Sequence, residues 1–344
     1  MYLLWAVCFC VTWGVSGNAY AQDARDATPD LPATKDTFKS AILYEYSGED
    51  GDQGFIDLVR EGARQAKKNI GIDYTEFRIT EEKERLVVLE EAIRSGYRYI
   101  IAVGVQNTIP VLTLASSHPE VKFTVIDSVI PPLYENIQSI SFKDHEGAYL
   151  VGILAANLSP TETVGFIGGM DVPLIQNFAL GYFQGAQHHN PNIAIRRDVV
   201  GVTAEAWNNP ERAKILARKQ YHDGVGVIFA AAGGSSIGVL EAAKEMGTFA
   251  IGVDTNQNHL YPGTVITSMV KRVDKAIYEA LIAAHSGRWK AGTHYLGLKE
   301  GALDYAIDIH NKDKITLAMI NEVEKARDQI IRGIIHVEVF SKGY

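Results

Sequence analysis

Three aspartates, one lysine and two phenylalanines fall in clusters at or after the ends of expected strands, and together they could recognise a small polar molecule. Asp52 and Phe55 lie in Tyr46-Ser-Gly-Glu-Asp-Gly-Asp52-Gln-Gly-Phe55, where the glycines allow a tight turn. A carboxylate can accept hydrogen bonds from a ligand, and a phenyl face can stack on a flat ring. The same spacing equally serves a helix cap with Phe55 packed inward. Asp127 follows the apolar Val125-Ile126. A lone acid at such a place receives a ligand N–H or hydroxyl, or more often bonds its own backbone. Asp254 ends Gly252-Val253, with Lys271 beyond it after Thr267-Ser-Met-Val. An acid and a base together can hold vicinal hydroxyls by charge-assisted hydrogen bonds, or simply form an internal ion pair.

Two glycine clusters complete the set. Gly165-Phe-Ile-Gly-Gly169-Met170 precedes Phe178, Gly181 and Gly185. It lacks the Gly-x-Gly-x-x-Gly spacing of a dinucleotide site, and no acid ends the next strand. Gly181 and Gly185 read as close-packing positions, and Phe178 taken alone reads as core. Ala230-Ala-Ala-Gly233-Gly234-Ser-Ser has no lysine after the glycines, so it is not a phosphate loop. Gly233 is read as the wall of a roomy cleft. Neither a nucleophile elbow nor a His-Glu-x-x-His zinc pattern occurs, and no cofactor or metal is expected.

The elements that must position these residues follow one rhythm twice. Segments at 40–44, 74–79, 99–103, 122–126 and 137–142 read as strands, with helices expected at 54–69, 82–95 and 107–117. After Glu146 the pattern restarts: helices at 145–157, 174–189, 209–223 and 236–246, strands at 163–167, 195–202, 225–230 and 249–253. Continuous apolar strands separated by helices imply parallel sheets covered on both faces. The fold class is therefore α/β, with two doubly wound lobes joined by a multi-strand hinge. The first lobe is expected to take 37–142 plus about 268–290, and the second 143–267 plus about 291–344. Ligands of open α/β sheets sit beyond the carboxyl ends of the strands, so clusters from both lobes would face one cleft.

With 344 residues, 47% hydrophobic and 22% charged, the chain can fill two cores. A net charge of −8 argues against a nucleic-acid partner. Residues 1–17 are almost wholly apolar and Asn18-Ala-Tyr-Ala21 supplies small residues for cleavage, so 1–21 reads as a secretory signal and 22–36 as a leader. No Lys or Arg precedes the apolar run, and the run is short for a membrane anchor. Cys8 and Cys10 both fall inside it, too early for a lipoprotein cleavage box. A freely diffusing, monomeric periplasmic protein without cysteine is expected.

Taken in order, the clusters resemble the basic membrane protein family of substrate-binding proteins, the PnrA-like purine nucleoside receptors, over about residues 40–342. The segments that carry the resemblance are Gly51–Phe55, Asn136–Lys143 with Glu146–Leu150, Val164–Gly169, Ala230–Ser235, and Gly252–Asp254 with Ser268–Asp274. The resemblance implies a type I periplasmic-binding architecture, in which two lobes close on a nucleoside delivered to an ABC transporter permease. It implies that Phe55 and Phe178 sandwich the base and that Asp127 reads its edge. Asp52 would line the cleft, while Asp254 and Lys271 would grip the ribose. One departure stands out: Ile56 occupies a place where the family commonly has Asn. The alternatives are the same fold with a flavin or sugar-like ligand, an exported sensor, and a nucleoside hydrolase using Asp52, Asp127 and Asp254.

Overall fold

The computed structural model describes residues 39–46 and 52–340. The expected signal and leader, both cysteines and Gly48 and Gly51 of the first cluster lie outside the described residues.

Five strands wind the first half: β1 (Ser40–Glu45), β2 (Tyr74–Ile79), β3 (Tyr99–Val103), β4 (Lys122–Ile126) and β5 (Ile137–Phe142). Helices α1 (Phe55–Ile70), α2 (Arg85–Arg94) and α3 (Thr108–Ala115) connect them. The chain then crosses at Lys143 into α4 (Asp144–Leu158) and repeats the pattern. The second half is β6 (Thr163–Met170), α5 (Pro173–His189), β7 (Ala194–Gly201), α6 (Pro210–His222), β8 (Val227–Ala231), α7 (Ser236–Met246), β9 (Phe249–Asp254) and β10 (Val265–Lys271). It crosses back for α8 (Val273–His285) and β11 (Gly292–Leu296), then again for β12 (Leu303–Tyr305) and α9 (Leu317–Ile331).

The sheet orders are β11-β5-β4-β3-β1-β2 and β12-β10-β9-β8-β6-β7, the same winding used twice. All neighbouring strands are parallel except β10 and β12. Residues of β3, β5 and β8 are buried throughout, and β3 and β8 are accordingly continuous apolar runs, whereas β5 buries Gln138, Ser139 and Ser141 as well. The crossings differ from the expected boundaries at 268 and 290. Ser268–Lys271 stay with the second sheet, because β10 remains paired with β9 up to Val270. Gly292–Leu296 join the first sheet, paired with β5. The crossing segments are themselves tied together, Lys143 N donating to Leu296 O at 2.8 Å and Arg272 N to Ala302 O at 2.8 Å.

Helices α4 and α5 pack backbone to backbone. A Cβ on Gly181 or Gly185 would intrude on the backbone of His145 or Tyr149, and one on Gly152 would meet Tyr182. This contact fixes the helix that carries Phe178. No described helix is long and apolar enough to cross a membrane.

Candidate functional site

The carboxyl ends of strands from both sheets converge on one cavity of about 800 Å³, towards the upper end of the roughly 300–1,000 Å³ that small-ligand clefts span. Asp52, Phe55, Asp127, Phe178, Gly233, Asp254 and Lys271 all line it. The fold thus brings together every site residue singled out from sequence.

Asp127 and Asp254 occupy equivalent places, just past β4 in one sheet and at the end of β9 in the other. Both adopt left-handed backbone, φ 63° and 67°, which aspartate tolerates better than most side chains. Residues held in such conformations concentrate at ligand sites. Asp127 N donates to Ile140 O at 2.8 Å, which pins the turn. Each aspartate is 7% exposed. The Asp254 carboxylate has no hydrogen-bond partner among the described residues. Burial pushes it up from 3.8 to about 7, with Lys271 opposing and Asp52 and Asp127 reinforcing the rise.

Asp52 fulfils the capping alternative while also lining the cavity. Its Oδ1 accepts from the N–H groups of Gly54 (3.0 Å), Ile56 (3.0 Å) and Asp57 (3.3 Å) at the start of α1. Burial raises its carboxyl above the usual range although these backbone bonds oppose the rise. Across the cleft, Gln53 O accepts from Gln257 Nε2 at 3.0 Å and Thr255 Oγ1 at 3.2 Å, so the two halves touch beside the site.

Lys271 differs from the sequence expectation in its partners. Its Nζ lies 2.7 Å from Asp127 Oδ1 and 3.1 Å from Asp144 Oδ1, whereas Asp254 acts on it only through its charge. Burial alone would depress this ammonium, but the three carboxylates outweigh it and hold Lys271 above its ordinary range. The ring centroids of Phe142, Phe178 and Phe55 lie 4.7, 5.3 and 5.6 Å from Nζ, so the ammonium sits among aromatic faces. Phe178 is 3% exposed and tilts against Phe229 at 6.2 Å, combining a core role with its place in the cavity wall.

Two residues escaped the sequence reading. Trp207 lines the cavity, its ring lies against Gly169, and its buried Nε1–H has no partner among the described residues. The signal available was its position past the end of a strand, like the other clusters. Asp144 is 1% exposed and begins α4, but in sequence it reads only as a boundary residue. Gly233, with φ 57°, packs against Trp207, so a side chain there would strain the turn and crowd the wall. Among the described residues no group of three or more His, Cys, Asp or Glu is arranged to hold a metal ion.

A family model described as ABC transporter substrate-binding protein PnrA-like matches residues 39–340. Basic membrane protein D of Borreliella burgdorferi (strain JD1) is 32% identical over 292 residues, spanning 83% of this chain and 84% of that protein. An uncharacterised lipoprotein of Pyrococcus abyssi is 30% identical over 278 residues, 78% of this chain and 68% of the relative. A solved solute-binding protein of an ABC transporter system from Aeropyrum pernix K1 superimposes with a TM-score of 0.81 at 27% identity, covering 89% of this chain and 94% of the other. The architecture is the type I fold of periplasmic solute-binding proteins. These are binding proteins rather than enzymes. On the match across both sheets and the whole cleft, the chain belongs to the PnrA-like family of ABC transporter substrate-binding proteins.

Proposed function

We propose that the chain captures a purine nucleoside in the cleft between its two sheets and presents it to an ABC transporter permease. The observation that carries this reading is the convergence of aromatic faces with two buried strand-tip carboxylates, Asp127 and Asp254, on one cavity. A flat base stacks between Phe55 of α1 and Phe178 of α5, with Trp207 also lining the cavity. Asp127 accepts from the base edge, Asp254 and Lys271 hold the ribose hydroxyls, and Asp52 and Gly233 shape the cavity. Carboxylates suit this task because N–H and O–H groups are donors. Ile56 is 8% exposed and offers the cavity no polar side chain, which fits a relaxed choice among purines.

Titration with inosine, guanosine and adenosine, alongside free bases, flavins and sugars, tests the reading. A ligand at 100 times its Kd stabilises the protein by about 2.7 kcal/mol, enough to raise Tm by several degrees. Binding to flavins or sugars with silence from every nucleoside refutes the ligand and leaves the fold intact.

Export carries a separate test. Cleavage after Ala21 would release a monomer starting at Gln22 into the periplasm, without Cys8 and Cys10. Relatives such as that of Pyrococcus abyssi are named lipoproteins. The intact mass of the exported protein distinguishes a chain beginning at Gln22 from one beginning at an acylated cysteine.

A further inference from the structure

Lys271 stands where the crossings between the halves meet. It is the last residue of β10, directly before the second crossing, while Asp144 opens α4 directly after the first. Asp127 reaches Lys271 from the tip of the other sheet. Lys271 and Asp144 are each 1% exposed. Neither oxygen of Asp144 accepts an aligned hydrogen bond among the described residues, although Oδ1 lies 3.1 Å from the Lys271 ammonium. Asp144 does not line the cavity, whereas Asp127, Asp254 and Lys271 all do.

We propose that Asp144 is a positioning residue of the ligand cleft: it holds the Lys271 ammonium from behind, so that Asp127 and Asp254 keep free oxygens for donors on the ligand. The inference rests on the cleft being the nucleoside site. A buried ammonium is strongly unfavourable unless paired. It carries three donors, one of them given to Asp127 Oδ1 at 2.7 Å, and without Asp144 the others would draw further on the carboxylates that face the cavity. With Asp127 Oδ1 accepting its hydrogen bond at 2.7 Å, Asp144 facing it as an ion-pair partner at 3.1 Å and the rings of Phe142, Phe178 and Phe55 close by, the ammonium makes no hydrogen bond to Asp254. Burial also raises the Asp144 carboxyl well above its ordinary range, with Lys271 opposing that rise. The ammonium's nearest carboxyl groups, Asp127 at 2.7 Å and Asp144 at 3.1 Å, both lie inside the protein with it. The cleft selects neutral ligands rich in hydroxyl and N–H donors, and it disfavours those carrying a phosphate.

The test is a double-mutant cycle on the mature chain, with inosine and inosine 5′-monophosphate as probes. Asp144→Asn is expected to weaken inosine at least tenfold, Lys271→Met to a similar degree, and the double variant no further than Lys271→Met alone. An Asp144→Asn loss that persists undiminished in the Lys271→Met background overturns the proposal, as does an unchanged inosine affinity. The preference for inosine over its monophosphate is a readout that a merely structural role leaves alone. Removing the Asp144 charge should narrow that preference several-fold, and an unchanged ratio counts against the proposal. Asp144→Ala, which leaves room for water beside the ammonium, gives the same readouts if the asparagine variant does not fold. Urea midpoints without ligand separate the two ideas. If the wild-type chain binds no nucleoside, the ligand reading fails. Non-additive midpoints then sustain the Asp144–Lys271 coupling and additive ones overturn it.

Discussion

Asp254→Asn should make the ligand-free protein more stable at alkaline pH while weakening the grip on its ligand. The wild-type carboxyl has a folded value of about 7 against 3.8 ordinarily, mainly because burial penalises its charged form. Between these two values the folded state binds more protons than the unfolded state, so stability falls as pH rises from about 4 to 7 and then levels off. The stability is fully present below the unfolded value, where both states are protonated. A difference of about three pH units corresponds to about 4 kcal/mol at about 1.4 kcal/mol per unit. Asparagine has nearly the same shape and stays neutral, so the variant escapes this loss. Urea unfolding of both proteins at intervals from pH 5 to 8.5 should show the variant gaining steadily to a difference on the order of 4 kcal/mol. A gap that does not change with pH would refute the reasoning, since it would mean that Asp254 ionises in the folded cleft as easily as in water. The same substitution removes a charged acceptor, which costs about 1.5–3 kcal/mol per hydrogen bond and should weaken inosine about 10–100-fold.

Further outcomes follow from the same geometry. Phe55→Ala should leave the fold intact, because Phe55 is only partly buried, and should weaken a purine nucleoside at least about threefold through lost stacking of about 0.5–1.5 kcal/mol beyond area burial. Trp207 lines the cavity while Trp289 donates to Thr124 within the first half, so ligand should change the tryptophan emission and Trp207→Phe should abolish most of that change. Gly185→Ala should lower stability by about 1–3 kcal/mol by forcing α4 away from α5, read as a reduced urea midpoint, while the isolated affinity of the folded fraction changes less.

Much of the candidate site was legible as positions along the chain. An acid directly after a buried apolar run lies at a strand tip, and in a parallel sheet all such tips share one edge. Asp127 and Asp254 therefore stood out before their left-handed backbone was known. Trp207 was missed because it lies past the end of the partly exposed edge strand β7, where no buried apolar run precedes it. Asp144 was missed because its importance comes entirely from a residue far along the chain.

The order of strands and helices, their doubling and the placement of acids at strand ends were determined by local patterns, since periodicity and burial act over a few residues. Which strand tips meet was decided only by the tertiary structure. Lys271 could have been matched to Asp254, its nearest acid among the singled-out clusters, yet it pairs with Asp127, 144 residues away, and with Asp144. The crossing points moved for the same reason: β10 stays in the second sheet through its ladders with β9 and β12, and β11 pairs with β5 of the first. Charge pairing depends on distances of a few ångströms between groups on different sheets. Those distances are set by how two separately wound halves pack, not by the residues alongside each charge.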